Sequence, residues 1–279
     1  HIIRSGEVRI NKGRASAETR VENGDEVRLP PVRISEKVAE KAERPAPGRE
    51  FPVLLEDDSL MAIDKPAGVA VHGGSGVSFG VIEQLRAARP EARFLELAHR
   101  LDRETSGVLL VAKKRAALIG LHDMFREQKG DKRYLALVPG IWKEKSVQVT
   151  LPLYKYLTPE GERRVRIAKG RDLQSPEVKP AETHFRLKQQ FPGYALVEAK
   201  LKTGRTHQIR VHFSAFRHPL VGDTMYGADP KLAARLQLDR QWLHAMKLSF
   251  EHPTKGEIVE FESEYPADLS HALEVLRSN

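Results

Sequence analysis

The sequence contains no cysteine. Disulfide frameworks, thiolate zinc sites and cysteine nucleophiles are excluded together, and nothing in the chain calls for an oxidising compartment. His, Asp and Glu are the metal ligands left. The eleven histidines show no HExxH spacing and no cluster with carboxylates on a recognisable helix, so no metal site is expected. Long apolar runs are missing too: stretches such as Val108 to Ala112 are far too short to cross a bilayer, and no signal-type segment follows the N-terminus. A cytoplasmic protein without membrane association is expected. Residues 64–76, DKPAGVAVHGGSG, carry Gly73, Gly74 and Gly76, which suit close backbone approach to a phosphate. Yet no Gly-Lys-Ser/Thr closes the stretch and its spacing does not fit GxGxxG, so no nucleotide cofactor is expected. The chain opens on His1 and is expected to begin inside a longer natural protein.

What is present is a chain of 279 residues, 40% of them apolar, which can bury a core without staples and suggests one large or two unequal domains. Its formal net charge of +8 permits an anionic partner. The distribution says more than the total. Between His99 and Leu135 nine Lys or Arg face five acids, and between Lys155 and Arg171 six face two, so the positive excess sits beside the segments that look functional.

Residues 1–34 read as short β-rich structure, with Val8 and Ile10 alternating with charges and turns at Asn11-Lys12-Gly13 and Asn23-Gly24-Asp25. The pattern IIRSGEVRINKGRASAETRVENGDEVRLP resembles the second half of an S4 domain, a small RNA-binding module, here truncated. Residues 35–50, with Pro45, Pro47 and Gly48 among mixed charges, read as a linker. Residues 51–279 alternate strand-like and helix-like segments irregularly. Strands are expected at Leu60–Asp64, Val108–Val111, Tyr134–Val138, Val147–Leu151, Thr183–Leu187, Ala195–Leu201, Trp242–Phe250 and Ile258–Phe261. Helices are expected at Val77–Arg89, Ala116–Gln128, Thr206–Phe216 and Ala267–Arg277. The order favours an α+β fold on a mixed, mainly antiparallel sheet.

Three further segments hold residues able to do chemistry. In HRLDRETSGVLLVAKK (99–114), Asp102 sits on a turn that runs into a buried-looking strand, flanked by Arg100 and Arg103, whose charges favour its ionised form. An aspartate in a turn also commonly caps its own backbone. In KTGRTHQIRVHF (202–213), Thr206 is a credible N-cap that puts Arg205 at a helix entrance, its fork able to grip a carboxylate or a phosphate. Lys202, Arg205, His207, Arg210 and His212 form a basic strip suited to phosphates or to a solvated helix face. In GDKRYLALV (130–138), Tyr134 follows Lys132 and Arg133, a pattern that suits base stacking beside phosphate neutralisation as well as ordinary packing.

Taken together, HRLDRETSG, DKPAGVAVH, KRYLALV, TGRTHQIR and WLHAMKLSF closely resemble the RluA-type family of RNA pseudouridine synthases, over nearly all of residues 1–275. HGGSGVSFGVIEQLR and ARFLELAHRLDRETSGVLLVAKK look most like its branch that acts on 23S ribosomal RNA. The resemblance implies a pseudouridine-synthase catalytic domain, Asp102 as the essential catalytic group, Tyr134 against the target uracil, and Arg205 paired with the catalytic carboxylate. It also implies that Arg100 occupies the space left by the flipped nucleotide. His99, Arg103, Lys132, Arg133, His207 and Arg210 are expected to contact RNA. No cofactor is implied; the partner is 23S rRNA or a large-subunit precursor, and a monomer is expected. Two other readings use the same residues: a non-catalytic S4-type rRNA-binding or ribosome assembly factor, and an N-glycosidic hydrolase working with Asp102 and Glu104.

Overall fold

A computed structural model of the chain describes residues 7–16, 18–30, 45–74, 77–159 and 161–278. The expected linker lies outside the described residues up to position 44, as do Ser75 and Gly76 of the glycine-rich stretch. The chain divides into two compact units, His1–Pro45 and Ala46–Asn279. In the first, β1 (Arg9–Ile10), β2 (Gly13–Arg14) and β3 (Val27–Arg28) form an antiparallel sheet in the order β2-β1-β3, with Val8 and Ala15 buried.

The second unit begins with β4 (Val53–Glu56), β5 (Leu60–Lys65), α1 (Val81–Ala88), β6 (Glu96–Leu97), β7 (Ser106–Ala112), α2 (Arg115–Arg126), β8 (Asp131–Pro139) and β9 (Ser146–Val149). It continues with β10 (Leu153–Leu157), β11 (Arg163–Ile167), β12 (Val178–Lys179), β13 (Thr183–Phe191), β14 (Tyr194–Leu201), α3 (Gln208–Ala215) and α4 (Pro230–Arg235). β15 (Leu243–Glu251), β16 (Ile258–Glu262) and α5 (Ala267–Ser278) complete it. One large sheet runs β4-β5-β7-β15-β8-β14-β13-β9, with β6 added to β7 and β16 to β15. Within it only β7 and β15 pair in parallel, so the sheet is mixed and mainly antiparallel.

The central strands are buried on both faces, which is why they read as continuous apolar runs. Along β7, Leu109 and Val111 pack with α1 residues Val81 and Leu85, while Val108, Leu110 and Ala112 pack with Leu121 and Met124 of α2. The alternation of a strand thus sends one residue set to each layer. Along β8, Tyr134, Ala136 and Val138 share the α1 layer, while Leu135 and Leu137 meet Trp242 and the Leu269, Leu273 face of α5.

Two glycines let segments approach closely. Gly107 has φ +115°, and a Cβ there would lie 2.2 Å from the Ala245 carbonyl oxygen, so glycine is what permits the parallel contact of β7 with β15. At Gly222, φ +88°, a Cβ would fall 2.0 Å from the Arg240 carbonyl oxygen.

The sequence pattern does not signal five strands of this unit, β4, β6 and the three that follow residue 150. β10, β11 and β12 form a separate sheet in the order β11-β10-β12 within the basic stretch after residue 150. Their apolar residues bury on one side only, Leu153 and Val165 against Val211. Nor does the pattern signal the short helix α4, only six residues long.

Candidate active site

Residues from the start of β15, the start of β8 and the end of β14, with the turn before β7, line a cleft of about 750 Å³. Asp102, Tyr134, Leu201, Leu243 and the 202–210 segment line it. A smaller cavity of about 350 Å³ adjoins it and shares Arg100, Leu101, Asp102, Thr206, His207 and Arg210. The larger volume suits a nucleotide-sized ligand.

Asp102 stands on the turn between β6 and β7, its side chain one-quarter exposed. The turn closes on itself through Thr105 N–H to the Asp102 carbonyl, 3.1 Å. Buried cations hold it from behind. Lys65, fully buried, donates from Nζ to the carbonyls of Pro66, Val69 and Arg103 at 2.7, 2.8 and 3.0 Å. Burial pulls this lysine down to about 7, with Glu104 and Asp102 acting the other way. Arg240 donates to the Glu104 carbonyl at 2.9 Å and the Ser106 hydroxyl at 3.2 Å, and forks onto Asp268 of α5. The carbonyls of both residues after Asp102 are therefore fixed, and the aspartate side chain projects from a rigid backbone.

Arg210 faces Asp102. Its Nη1 lies 3.2 Å from Asp102 Oδ2, and its Nε and Nη2 form a fork on Asp223 at 2.7 and 2.8 Å. Burial works against the Arg210 charge, but the bonds to Asp223 and the field of Asp102 outweigh it and hold the guanidinium above its ordinary range. Arg210 is thus an ion-pair partner inside the site and not the open RNA contact expected of it. The pairing expected for Arg205 falls instead to Arg210. Arg205 is exposed at the cleft wall and donates from Nε to the Pro180 carbonyl at 3.0 Å. The reason lies in the helix start. Thr206 does not cap α3; His207 does, in a left-handed conformation without a side-chain cap bond. The Gln208 amide oxygen takes up the Arg205 N–H at 3.1 Å and the Thr203 hydroxyl at 2.8 Å, which leaves Arg205 outside the helix. Arg210, three residues after His207, comes round to the same helix face.

Tyr134 is 7% exposed and lines the cleft. Burial, reinforced by the charge of Asp102, pushes its phenol well above the ordinary range, so the ring is a neutral platform. Lys132 lies on the same side of β8, its Nζ 3.5 Å from the centre of the Phe125 ring, and burial lowers it to about 8. Arg133 points to the other side, forking onto Asp131 with Glu198 at 3.6 Å, so the strand's alternation removes it from the cleft.

Arg100 is exposed where the two cavities meet. Arg103 lines the smaller cavity and not the larger one, donating to the Gly68 carbonyl at 3.0 Å and pairing with Glu104 at 3.5 Å. His99 lines the cleft, yet its Nε2 accepts the Leu110 N–H at 3.1 Å and burial pulls it down to about 3, so it serves the fold as a neutral ring. His207 is in the site, with Nδ1 2.7 Å from the Tyr226 hydroxyl and Nε2 3.9 Å from Asp102 Oδ1. In the glycine-rich stretch, the Glu83 carboxylate takes the N–H of Gly73, and also that of Gly80 at the helix start beyond it, so these are not offered to a phosphate. Glu104 lines the smaller cavity and not the larger one. The sequence gives no signal for the roles of Asp223, Tyr226 and Arg240, which act through contacts between separated segments, or for Lys65, whose burial brings it onto the Arg103 carbonyl. Among the described residues no group of three His, Asp or Glu side chains is arranged to hold a metal ion, and no helix is long and apolar enough to cross a membrane.

Residues 59–215, which include Asp102, Tyr134 and Arg210, match the family model of RNA pseudouridylate synthase. The chain belongs to this family and is an RNA pseudouridine synthase. It is 49% identical, over 99% of its length and 87% of the relative's, to the ribosomal large subunit pseudouridine synthase C of Salmonella typhi. It is 48% identical to the Escherichia coli (strain K12) protein of the same name, over 99% and 87%. Among solved structures, the human RNA pseudouridylate synthase domain containing 4 superposes with a TM-score of 0.66 at 25% identity, covering 81% of this chain and 93% of that one. Human RNA pseudouridylate synthase domain containing 1 gives 0.62 at 27% identity, covering 84% and 98%.

Proposed function

We propose that this enzyme isomerises uridines to pseudouridine in large-subunit ribosomal RNA, with Asp102 acting on a nucleotide flipped into the cleft. The N1–C1′ bond breaks, the uracil turns while held, C5 bonds to C1′, the C5 hydrogen leaves as a proton and N1 regains one. Nothing is oxidised and no group departs. The reaction asks for a carboxylate fixed beside the sugar, a surface for the detached base, and exclusion of water from the cleft during transfer.

The observation that carries this reading is the bridge by which Arg210 joins Asp102, in the cleft that Tyr134 lines, to the buried Asp223. A guanidinium already anchored on one carboxylate offers the other a fixed positive charge, and no reorganisation is needed when the substrate arrives. Tyr134 supplies a face for the uracil. Arg100, exposed where the cavities meet, is placed to fill the gap left in the stack, offsetting an unstacking cost of about a few kcal/mol. Lys155, Lys179, Lys202 and Arg205 on the cleft wall neutralise phosphates. The N-terminal unit, with its three short strands, serves as an S4-like RNA contact joined by the 35–50 segment to the catalytic domain 51–279.

Release of tritium from a large-subunit rRNA transcript labelled at uridine C5 tests the reading. Isomerisation frees one tritium for each pseudouridine formed. Liberation of free uracil without a new pseudouridine would point to bond hydrolysis and overturn it.

A further inference from the structure

His207 adopts φ +53°, a left-handed conformation that costs a non-glycine residue about 1 kcal/mol or more. Helix capping does not account for it, since the side chain makes no cap bond. What the turn achieves is to set the imidazole between Tyr226 and Asp102, edge-on to the phenol ring, on the border of both cavities.

The neighbours on the two sides of the ring select which nitrogen carries the proton. The Tyr226 hydroxyl lies 2.7 Å from His207 Nδ1 and donates there, because the opposite arrangement would turn an unprotonated Nε2 toward the Asp102 carboxylate 3.9 Å away. Nδ1 is then the acceptor and the ring hydrogen lies on Nε2, the nitrogen 3.9 Å from Asp102 Oδ1. Protonation states agree: burial holds His207 below its ordinary value and raises Tyr226 to about 12, so the ring is neutral and the phenol keeps its hydrogen. Tyr226 is itself steadied by Arg210, whose guanidinium carbon lies 4.9 Å from the phenol centre.

We infer that His207, kept in the Nε2–H tautomer by Tyr226, is a positioning residue that donates to Asp102 Oδ1 when the nucleotide fills the cleft, completing with Arg210 on Oδ2 a two-sided grip on the carboxylate. A contact that is long without substrate and shortens with it is common for such groups. The grip sets the plane of the carboxylate against the sugar, and so it acts on turnover and not on RNA affinity. The inference rests on Asp102 being the reacting group.

The experiment compares His207→Leu, His207→Gln, Tyr226→Phe and the Tyr226→Phe/His207→Leu pair with the parent, using the full chain and tritium release from the rRNA transcript. His207→Leu is expected to lower kcat by about ten- to a hundredfold with KM within about threefold, the effect of a misoriented reacting group. His207→Gln restores most of the rate, because its amide N–H reaches the place of Nε2. Tyr226→Phe, nearly isosteric, lowers kcat through the lost tautomer control, and the double variant is no slower than His207→Leu alone. The inference is overturned if His207→Leu keeps the parental kcat, if the loss lies in KM alone, or if the two single effects multiply. Asp102→Asn run alongside separates the failures: turnover by that variant refutes the role of Asp102, whereas its silence beside an unaffected Tyr226→Phe refutes only the role of His207.

Discussion

Asp102 and Arg210 are 108 positions apart in the chain and 3.2 Å apart in the fold. Their contact is held from the far side by Asp223, whose side chain is 1% exposed and whose two oxygens both accept from the same guanidinium. One cation thus serves two carboxylates, one structural and one facing the cleft. This division makes the consequences of losing it specific.

Arg210→Met should abolish tritium release and cost about 3–5 kcal/mol of stability, because the buried Asp223 is left without its partner. Arg205→Met, at the exposed rim, should melt within a degree or two of the parent and retain turnover at saturating RNA, with a raised KM. Thermal unfolding and steady-state kinetics on the two variants check both statements. Equal loss of kcat in Arg205→Met would return the carboxylate's partner to Arg205.

The close approach of β7 and β15 behind the Asp102 turn makes Gly107 intolerant of any side chain. Gly107→Ala combines a left-handed backbone with a Cβ placed 2.2 Å from the Ala245 oxygen. The expected penalty exceeds about 3 kcal/mol, and the rate falls with it because Ser106, the next residue back, is a ligand of Arg240. Urea denaturation of the variant measures it; an unchanged midpoint would show that the strands can part without cost.

Acidification has its own signature. His212 and His244 are fully buried and their pKa values are lowered, in both by burial first. His212 bonds the Thr183 hydroxyl and the Leu151 carbonyl, and His244 the Ser106 hydroxyl and the Ser263 carbonyl. A histidine depressed in the folded state binds fewer protons there than in the unfolded chain. Its contribution is therefore present above about pH 6.5 and declines as pH falls below that value toward the folded pKa. The melting temperature should drop between about pH 7.5 and pH 5.5. A His212→Gln/His244→Gln variant, less stable at neutral pH, should show a smaller drop; an equal drop would assign the effect elsewhere.

Much of the fold was legible because the central strands announce themselves. Leu60 to Lys65 and Ser106 to Ala112 are buried on both faces and bounded by polar turns, so their apolar runs needed no partner to be seen. β10 and β11 escaped because Tyr154, Arg164 and Arg166 face outward between the few residues that bury, and the charge obscured the alternation. At the site, the types were readable and the pairings were not. Arg205 and Arg210 stand in one short string with the same chemistry, and the string is equally consistent with either reaching Asp102. The left-handed turn at His207 and the hold of Gln208 on Arg205 decide between them. Arg240 gave no local signal, since its role is defined by Glu104 and Asp268 on either side.

The claim on which the account stands is that the Asp102 carboxylate performs the chemistry and does not merely shape the turn. Single-turnover tritium release by Asp102→Asn on the large-subunit rRNA transcript, paired with a binding isotherm at the same ionic strength, tests it most directly. The account predicts no detectable release over many parental half-lives, with RNA affinity within about threefold, since the side chain is a minor part of the contact surface. Release at a rate near the parent's would contradict it.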